Sequence, residues 1–468
     1  MSDHLSNSAV DRLVSRLASF GESPAIVSEK RTVSFRELLA DSEIWLERLR
    51  GEGVGQGTVC GYVGEYSPQT ISLFISLMRV GAIAAPLTPA VEHELPRLAQ
   101  IGGLERVIRF DDEGHATFSA AFSHGSSPLL DDFRATEHAG LVVFTSGSTG
   151  QPKAILHDLE KVLDKFAELR RGRRTVLFLM MDHFGGVNTL LSTLAYGGVA
   201  ICISDRTPDA VCRAISKGRA ELLPTTPTFL KMLIASGVWR DHGISSVRLI
   251  TYGTEPMPES TLARLSEVFP GVELKQTYGL SELGVLHSKS PDPKSLWLKI
   301  GGRGFETRVV DGVLHIRSNS SMVGYLNAPS PIDAEGWMNT GDLVDQQGDL
   351  IRFRGRASEV INVGGQKVFP TEVETILLQA DRVVDATVYG AKHPLLGQAV
   401  RARVSLSEPE DEAAVNERLK EFCRDRMAKF KVPLKFEVLP IEAQITPRTK
   451  KQRIVERVDD LRTDKHRG

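Results

Sequence analysis

The sequence predicts an α/β protein in which a large N-terminal domain of layered sheets and helices is followed by a small α+β C-terminal domain. Short apolar runs alternate with amphipathic segments of helical period, a pattern typical of α/β layering. A chain of 468 residues is too long to fold around one hydrophobic core. We place the domain boundary in the segment 354–358, so that residues 1–355 form the large domain and residues 356–468 the small one.

Local signals predict the elements of the large domain. Ser34 and Glu37 form a capping box before a helix with one apolar face, and Ser67-Pro68 begins a second helix that we expect to end at Gly81. Four short apolar runs predict buried parallel strands: 141–144, 175–179, 199–203 and 248–251.

Two further patterns lie nearer the C-terminus. Asp311-Gly312 separates two alternating runs within 307–318, which predicts a β-hairpin. Beyond the predicted boundary, a βαβ-like pattern precedes a helix whose apolar side is predicted to carry Val415, Leu419, Phe422, Cys423, Met427 and Phe430.

Composition excludes several classes of protein. With 57 basic and 59 acidic residues the chain is nearly neutral, so charge does not favour a nucleic-acid partner. The four cysteines lack metal-ligand spacing, which indicates reduced thiols in a cytoplasmic protein. The longest apolar run, 71–86, is interrupted by Arg79 and is too short to span a bilayer, so we expect no integral membrane segment.

The segment 144–153, FTSGSTGQPK, is the most informative stretch of the chain. Its glycines let backbone N–H groups approach an anion, its hydroxyls donate further hydrogen bonds, and its lysine adds a positive charge. Together these features predict a polyphosphate-binding loop after a strand, the alternative being a polar surface turn. The spacing differs from the Walker pattern, which disfavours an ordinary phosphate-transferring NTPase or kinase.

Together with other motifs, this loop resembles the adenylate-forming superfamily. That superfamily contains acyl- and aryl-CoA synthetases, the adenylation domains of peptide synthetases, and firefly luciferase. The motifs occur in the family's order, as TSGSTGQPK (145–153), DHFGG (182–186), TYGLSE (277–282), GYLN (324–327), NTGDL (339–343) with Gly355-Arg356, and VGGQKVFPTEVE (363–374).

The resemblance implies an acid–thiol ligase that works in two half-reactions. Mg²⁺-ATP would convert a carboxylic acid to its acyl-adenylate, and the thiol of CoA or of a carrier protein's phosphopantetheine would then take the acyl group. The small domain would swing between the two steps about a hinge at Ser358, where the family usually has Asp or Lys. Two alternatives remain open, namely an adenylate that loads an acyl carrier protein or serves another nucleophile, and a non-catalytic nucleotide-binding homologue. We expect a monomer or homodimer.

The resemblance also assigns roles to residues. Glu282 would hold Mg²⁺, Asp342 would bind the ribose hydroxyls, and Tyr278 would stack on adenine, with Arg356 donating to ribose or phosphate. The remaining nucleotide-binding residues would be Thr145, Ser146, Gly147, Ser148, Thr149, Gly150, Lys153, Gly253, Thr254, Glu255, Thr277, Gly279 and Ser281.

Four other residues bear on the acid and the thiol. His183 would shape the carboxylate site or gate the thiol tunnel, although a single histidine is also compatible with a structural role. An amino-acid substrate is disfavoured, because position 183 lacks the aspartate usual in peptide-synthetase domains. Gly364, Gly365 and Lys367 match the loop that meets pantetheine, while Lys367 also fits a solvated surface charge.

The C-terminal motif departs from the family pattern. The family ends in Pro-x-Thr-x-x-Gly-Lys, whose lysine bridges the carboxylate and the α-phosphate, whereas this chain has PRTKKQR at 447–453. Counting forwards from Thr449 places Arg453 at the lysine position, and counting back from Arg453 places Lys450 there. We favour Lys450 as the catalytic cation, with Lys451 second.

Overall fold

A computed structural model describes residues 8–111, 114–119, 127–146, 151–292, 295–302 and 304–444. Its α-helices are α1 (Ala9–Ser19), α2 (Phe35–Gly51), α3 (Pro68–Arg79), α4 (Leu95–Gly102), α5 (Pro128–Arg134), α6 (Leu159–Asp164), α7 (Phe184–Ala195), α8 (Pro208–Gly218), α9 (Pro227–Ser236), α10 (Glu259–Val268), α11 (Pro370–Leu377) and α12 (Glu412–Arg424). Among these described helices, none has the length and apolar composition needed to cross a membrane.

The strands of the first half of the chain are β1 (Pro24–Val27), β2 (Thr32–Ser34), β3 (Val59–Val63), β4 (Ile83–Leu87), β5 (Arg106–Phe110), β6 (Ala116–Ser119), β7 (Gly140–Ser146), β8 (Pro152–Asp158), β9 (Arg174–Val176), β10 (Val199–Ile201), β11 (Leu222–Thr225), β12 (Leu249–Tyr252) and β13 (Glu273–Gln276). Those that follow are β14 (Tyr278–Leu280), β15 (Gly284–Lys289), β16 (Lys299–Gly301), β17 (Phe305–Val310), β18 (Val313–Ser318), β19 (Gly324–Tyr325), β20 (Trp337–Gln347), β21 (Leu350–Arg356), β22 (Ile361–Val363), β23 (Gln366–Val368), β24 (Val383–His393), β25 (Gly397–Leu406) and β26 (Phe436–Val438).

Two seven-stranded sheets dominate the large domain. One has the order β13-β12-β11-β9-β10-β1-β2 and the other β19-β8-β7-β4-β3-β5-β6. Both have parallel centres, since β9 to β13 pair in parallel and β3 pairs in parallel with β4 and β5. The largest core cluster takes buried side chains from strands of both sheets and from α1, α2, α3, α6 and α7, so it occupies the layer between the two sheets.

Smaller sheets complete the fold. The antiparallel sheet β17-β18-β20-β21 carries the chain to the predicted boundary. Beyond it, β22 to β26 form a separate sheet with its own core, to which α11 and α12 contribute. These layers confirm the predicted α/β class with a large and a small domain, and the boundary at residues 355 and 356 stays a prediction.

Most of the predicted elements are present. Ser34 caps α2 in a capping box with Glu37, and the predicted hairpin is β17 with β18, whose turn residues Asp311 and Gly312 have φ of 51° and 76°. The predicted apolar helix near the C-terminus was drawn too long, because α12 ends at Arg424. Met427 and Phe430 pack against the same small-domain core from the segment after the helix.

Three of the predicted strands also differ from expectation. The runs 175–179 and 199–203 are strands only as far as Val176 and Ile201, because β9 and β10 end there. The run 141–144 lies in β7, which is parallel to β4 on one side but antiparallel to β8 on the other. Periodicity in one sequence carries no information about the direction of a neighbouring strand, which is decided by the connection between the two strands.

Candidate active site

Three neighbouring parallel strands end at the same edge of one sheet. In their register Thr225 of β11 lies opposite Tyr252 of β12, which in turn lies opposite Gln276 of β13. In open α/β sheets this carboxyl edge is the usual place for a ligand. The residues that follow β12 and β13 are therefore candidates for ligand contacts.

Two cavities meet at this edge. The polar cavity, of about 190 Å³, is lined by residues that include Glu255, Asp342 and Arg356. The apolar cavity, of about 210 Å³, is lined by residues that include Phe178, Met180, Phe184 and Val285. Both cavities are bordered by Thr254 and by residues 277–280. This shared wall places a polar and an apolar binding region side by side.

Asp342 is the anionic centre of the polar cavity. The Tyr278 hydroxyl donates to Asp342 Oδ2 at 2.6 Å, and Arg356 Nε lies 3.2 Å from Asp342 Oδ1. Burial raises the pKa of Asp342, while Arg356 and the Tyr278 hydroxyl favour its charged form. The Phe353 ring stacks on Tyr278 at 4.6 Å between ring centroids and an angle of 14°. Adenine would therefore have to use the other face of Tyr278.

The turn after β12 depends on a close backbone approach. A Cβ on Gly253 would lie 2.6 Å from the carbonyl oxygen of Thr277, a distance that real Cβ atoms do not adopt. Thr254 has a φ of 70°, the left-handed conformation that non-glycine residues seldom take. The Glu255 carboxylate accepts from the Thr228 hydroxyl at 2.7 Å. The turn is thus held rigidly at the shared wall.

Glu282 lies at the end of a short chain of polar contacts. The Tyr325 hydroxyl donates to Glu282 Oε1 at 2.6 Å, and the ammonium of Lys153 lies 4.7 Å from the centre of the Tyr325 ring. Burial raises the pKa of Tyr325, and the Glu282 carboxylate raises it further, so its hydroxyl stays protonated and remains a donor. The predicted phosphate-binding lysine and the predicted metal-binding carboxylate therefore contact the same tyrosine.

Sequence reasoning assigned no task to the GYLN motif that contains Tyr325. In the structure, Asn327 Oδ1 accepts from the backbone of Ala154 and Asn327 Nδ2 donates to the carbonyl of Pro152, both at 2.9 Å. Asn327 thus fastens the start of β8, at the C-terminal end of the predicted phosphate loop. The position of GYLN in the family's order of motifs marked it as a candidate. That order does not show that the motif contacts the start of β8.

The two ends of the phosphate loop are paired. Thr145 on β7 lies opposite Lys153 on β8, and Ser146 lies opposite Pro152. The hairpin therefore brings both ends of the predicted loop together. The other predicted loop residues lie outside the described part of the chain: Gly147, Ser148, Thr149 and Gly150.

His183 and Ser281 both line the apolar cavity. His183 is the N-cap residue of α7 and Ser281 is buried. A Cβ on Gly186 would lie 1.9 Å from the carbonyl oxygen of Met180, so glycine permits α7 to pack tightly against the preceding segment. These residues position the first turn of α7 against the cavity.

The predicted pantetheine-loop residues line neither of the two cavities. Gly364, Gly365 and Lys367 are exposed around the hairpin of β22 and β23, and Ser358 is exposed in a short 3₁₀ helix after β21. The predicted catalytic cations Lys450 and Lys451, with Arg453, fall outside the described residues. In this arrangement the predicted pantetheine loop faces solvent.

Comparisons with known proteins identify the family of this chain. The model of the AMP-binding enzyme family matches residues 97–326, and that of the AMP-binding enzyme C-terminal domain matches residues 372–451. A Mycobacterium tuberculosis relative is a 3-[(3aS,4S,7aS)-7a-methyl-1,5-dioxo-octahydro-1H-inden-4-yl]propanoyl:CoA ligase, 31% identical over 79% of this chain and 76% of its own length. The indoleacetate–CoA ligase of Aromatoleum aromaticum is 26% identical over 87% and 90% of the two chains.

A solved structure shares the fold. The o-succinylbenzoate CoA synthetase of Bacillus subtilis, in complex with its acyl-adenylate, superposes with a TM-score of 0.78 at 21% identity, covering 97% of this chain and 99% of the other. The chain therefore belongs to the AMP-binding, adenylate-forming enzymes. Within them it is an AMP-forming acid–thiol ligase.

Proposed function

We propose that this chain activates a carboxylic acid with Mg²⁺-ATP and transfers the acyl group to CoA. In the first step a carboxylate oxygen attacks the α-phosphorus of ATP, the bond to the β-phosphate oxygen breaks, and pyrophosphate leaves. In the second step the sulfur of CoA attacks the acyl carbon and AMP leaves. The observation that carries the proposal is the wall shared by the polar and the apolar cavity, formed by Thr254 and residues 277–280.

The shared wall suits the first step because that step joins a polar reactant to an organic acid. AMP would occupy the polar cavity, with its ribose at Asp342 and Arg356 and its adenine against Tyr278. The acyl chain would occupy the apolar cavity, with the carboxylate near Thr254. Holding both reactants on either side of one wall makes the bimolecular reaction effectively unimolecular, which lowers its entropic barrier.

The residues near the phosphate loop fit a magnesium ion. Among the described residues, no group of three or more His, Cys, Asp and Glu side chains is placed to hold a metal. Mg²⁺ is commonly bound by one or two carboxylates together with substrate phosphates. Glu282, held by the hydroxyl of Tyr325, whose ring lies beside Lys153, would supply that carboxylate. When bound, Mg²⁺ would offset the negative charge of the phosphates.

The remaining roles concern charge and the thiol. Lys450, with Lys451 as second choice, would place a positive charge between the carboxylate and the α-phosphate during the first step. Gly364, Gly365 and Lys367 would meet pantetheine in the second step, after the small domain has swung about Ser358. In the arrangement described here these loop residues are exposed to solvent, as they would be before such a movement.

The test is a panel of carboxylic acids assayed for acid-dependent ATP–pyrophosphate exchange, then for thioester formation with CoA. At least one acid should support exchange and yield AMP, pyrophosphate and acyl-CoA. Glu282→Gln should lose metal-dependent turnover, since the amide keeps the shape of the side chain but not its charge. Formation of ADP and orthophosphate would contradict the proposal, and transfer only to a carrier-bound pantetheine would exclude CoA as the acceptor.

A further inference from the structure

One wall of the apolar cavity carries polar side chains. Asn188, Thr189 and Ser192 of α7 line it together with Gly185. Positions separated by three or four residues lie on one face of a helix, so these side chains form a continuous polar strip. Asn188 and Ser192 border only the apolar cavity and not the polar one. The strip is therefore suited to contact the part of the acyl group that is remote from the reacting carboxylate.

Both hydroxyl groups of this strip already donate hydrogen bonds to backbone carbonyls of α7. The Thr189 hydroxyl donates to the carbonyl of Gly185 at 2.8 Å, and the Ser192 hydroxyl donates to the carbonyl of Thr189 at 3.0 Å. Such bonds to the preceding turn are common for hydroxyl residues within helices. Asn188 is then the residue of the strip with donors to offer a ligand.

Lys165 decides which way the Asn188 amide is turned. Its ammonium donates to Asn188 Oδ1 at 3.1 Å and also to the carbonyl of Val285. Because an ammonium has only donors, the oxygen of Asn188 must face Lys165 and the Nδ2 group must face elsewhere. Lys165 is thus a positioning residue behind the cavity wall, and Asn188 presents N–H groups rather than an acceptor.

The surroundings of Lys165 are positively charged. Burial, with a smaller contribution from Arg170, lowers the pKa of Lys165 to about 8. Burial also lowers the pKa of His287, with Lys165 and Arg170 contributing. Positive groups behind an amide donor strengthen its attraction for an electron-rich atom in a poorly solvated cavity. This end of the cavity therefore favours an oxygen acceptor over a methyl group.

We propose that the acid carries a second oxygen acceptor, a carbonyl, hydroxyl or carboxylate oxygen, in the part remote from the reacting carboxylate, and that Asn188 binds it. The inference rests on the proposed function and names the class of acid that the cavity selects. The apolar residues of the cavity hold the carbon skeleton, and Asn188 with Lys165 behind it discriminates against a skeleton that lacks the oxygen. A site built to donate a hydrogen bond strongly disfavours an analogue without the acceptor.

The test compares matched acids with the full-length enzyme. The pairs are 3-(4-oxocyclohexyl)propanoate against 3-cyclohexylpropanoate, and 6-oxoheptanoate and heptanedioate against heptanoate. With ATP and CoA at saturation, kcat/KM is measured from AMP release. The wild-type enzyme should favour an oxygen-bearing acid over its parent by at least about tenfold, the discrimination expected for one hydrogen bond to a buried donor. Comparison of the oxo acid with the dicarboxylate separates a neutral acceptor from an anionic one.

Variants identify the residues responsible. Asn188→Leu should abolish the preference by raising KM for the oxygen-bearing acid, so that the oxygen-bearing acid and its parent give similar kcat/KM. Asn188→Asp keeps the shape but replaces donors by acceptors, so it should also lose the preference even if the leucine variant folds poorly. Lys165→Met should reduce the preference through KM with little change in kcat. The control is Lys161→Met, an exposed lysine on the same stretch of chain, which should change nothing.

Two outcomes are distinguishable. If the wild-type enzyme uses the parent acids as well as the oxygen-bearing ones, or if Asn188→Leu keeps the preference, the inference is wrong while the proposed function stands. If ATP consumption does not depend on any acid, or if it yields ADP, the proposed function is wrong and the inference falls with it.

Discussion

Asp342 receives two protein donors, from Tyr278 and from Arg356. A carboxylate has about four acceptor positions, so both oxygens retain capacity for hydroxyl groups of a ribose. The protein donors fix the orientation of the carboxylate in advance. The residue therefore fits the ribose-binding role predicted from the NTGDL motif, which stays a prediction.

Asp342→Asn tests that role. The amide keeps the shape of the side chain but loses one acceptor and the charge, so KM for ATP should rise by about 10- to 100-fold, the range for hydrogen bonds to a charged group. Initial rates at varied ATP measure it, with KM for the acid largely unchanged. Asp345→Asn on the same strand, whose carboxylate pairs with Arg352, is the matched control. An unaltered ATP requirement in Asp342→Asn would remove this residue from the nucleotide site.

The burial of His157 predicts how the free energy of unfolding depends on pH. Its ring is fully buried against Phe184 at 4.5 Å between centroids, and burial lowers its pKa from 6.5 to about 4, with the Ser281 backbone opposing the shift. The unfolded chain binds this proton below pH 6.5, but the folded chain does not until about pH 4. Folded stability is therefore lost as pH falls through this window, by about 3 kcal/mol in total.

His157→Phe should remove this contribution. Urea unfolding at pH 7 and at pH 4.5 should show that the variant loses less stability than the wild type on acidification. The same change at His93, whose side chain is 75% exposed, is the control and should leave the pH dependence of stability as it is in the wild type. Parallel loss of stability in His157→Phe and the wild type would mean that this histidine is not held neutral by burial.

At the scale of elements, the turn between β12 and α10 is shaped by one glycine. The nearest atoms to a Cβ at Gly253 belong to Thr277, the residue that follows β13. Because Thr277 borders both cavities, any displacement there alters both binding regions at once. The parallel pairing of β12 with β13 therefore sets the position of the wall shared by the two cavities.

Gly253→Ala should lower kcat/KM for both ATP and the acid, in contrast to a change within one cavity. Forcing a methyl group into this space costs about 1–3 kcal/mol in strain or displacement, as overpacking does elsewhere. Steady-state kinetics with each substrate varied in turn will measure the two effects. Gly51→Ala, where an added Cβ meets no atom within 4 Å, is the control and should behave as the wild type. An effect confined to one substrate would contradict the shared wall.

At the scale of the whole molecule, a buried ion pair joins the two domains. Lys231 on α9 contacts Asp385 on β24, and their side chains are only 6% and 1% exposed. Removing one partner of such a pair strands a buried charge and costs about 3–5 kcal/mol. The pair therefore stabilises this domain arrangement, in which the predicted pantetheine loop faces solvent. It would have to break if the small domain is to swing.

Lys231→Met should consequently slow acyl-adenylate formation by at least about tenfold, while thioester formation from a supplied acyl-adenylate is spared. Each half-reaction is followed alone, the first by pyrophosphate exchange and the second by acyl-CoA formation. Lys231→Met combined with Asp385→Leu should recover part of the loss because no charge is left unpaired. Lys161→Met serves as control. Equal slowing of both half-reactions would show that the pair supports the fold rather than one arrangement of the domains.

Much of the architecture was determined by the sequence. The capping box at Ser34, the turn at Asp311-Gly312 and the alternation of apolar runs are local signals, and local hydrogen bonds and periodicity decide such elements. The errors arose where contacts with a neighbouring element decide where a helix or strand ends. The apolar face predicted for α12 continued to Phe430, although the helix ends at Arg424. The spacing of apolar residues indicates which side chains are buried, but it does not distinguish a helix from a loop that packs against the same core.

The motifs in the sequence determined the family and the candidate residues, because residue types and their order are properties of the chain itself. Only the tertiary structure decided that Tyr325 joins Glu282 to Lys153, that Asn327 fastens the start of β8, and that Lys165 turns the amide of Asn188. Each of these contacts joins residues far apart in the chain, across a separation set by how sheets and helices pack. Such contacts depend on the distances and orientations of side chains in the folded protein, and a pattern along one sequence does not specify these.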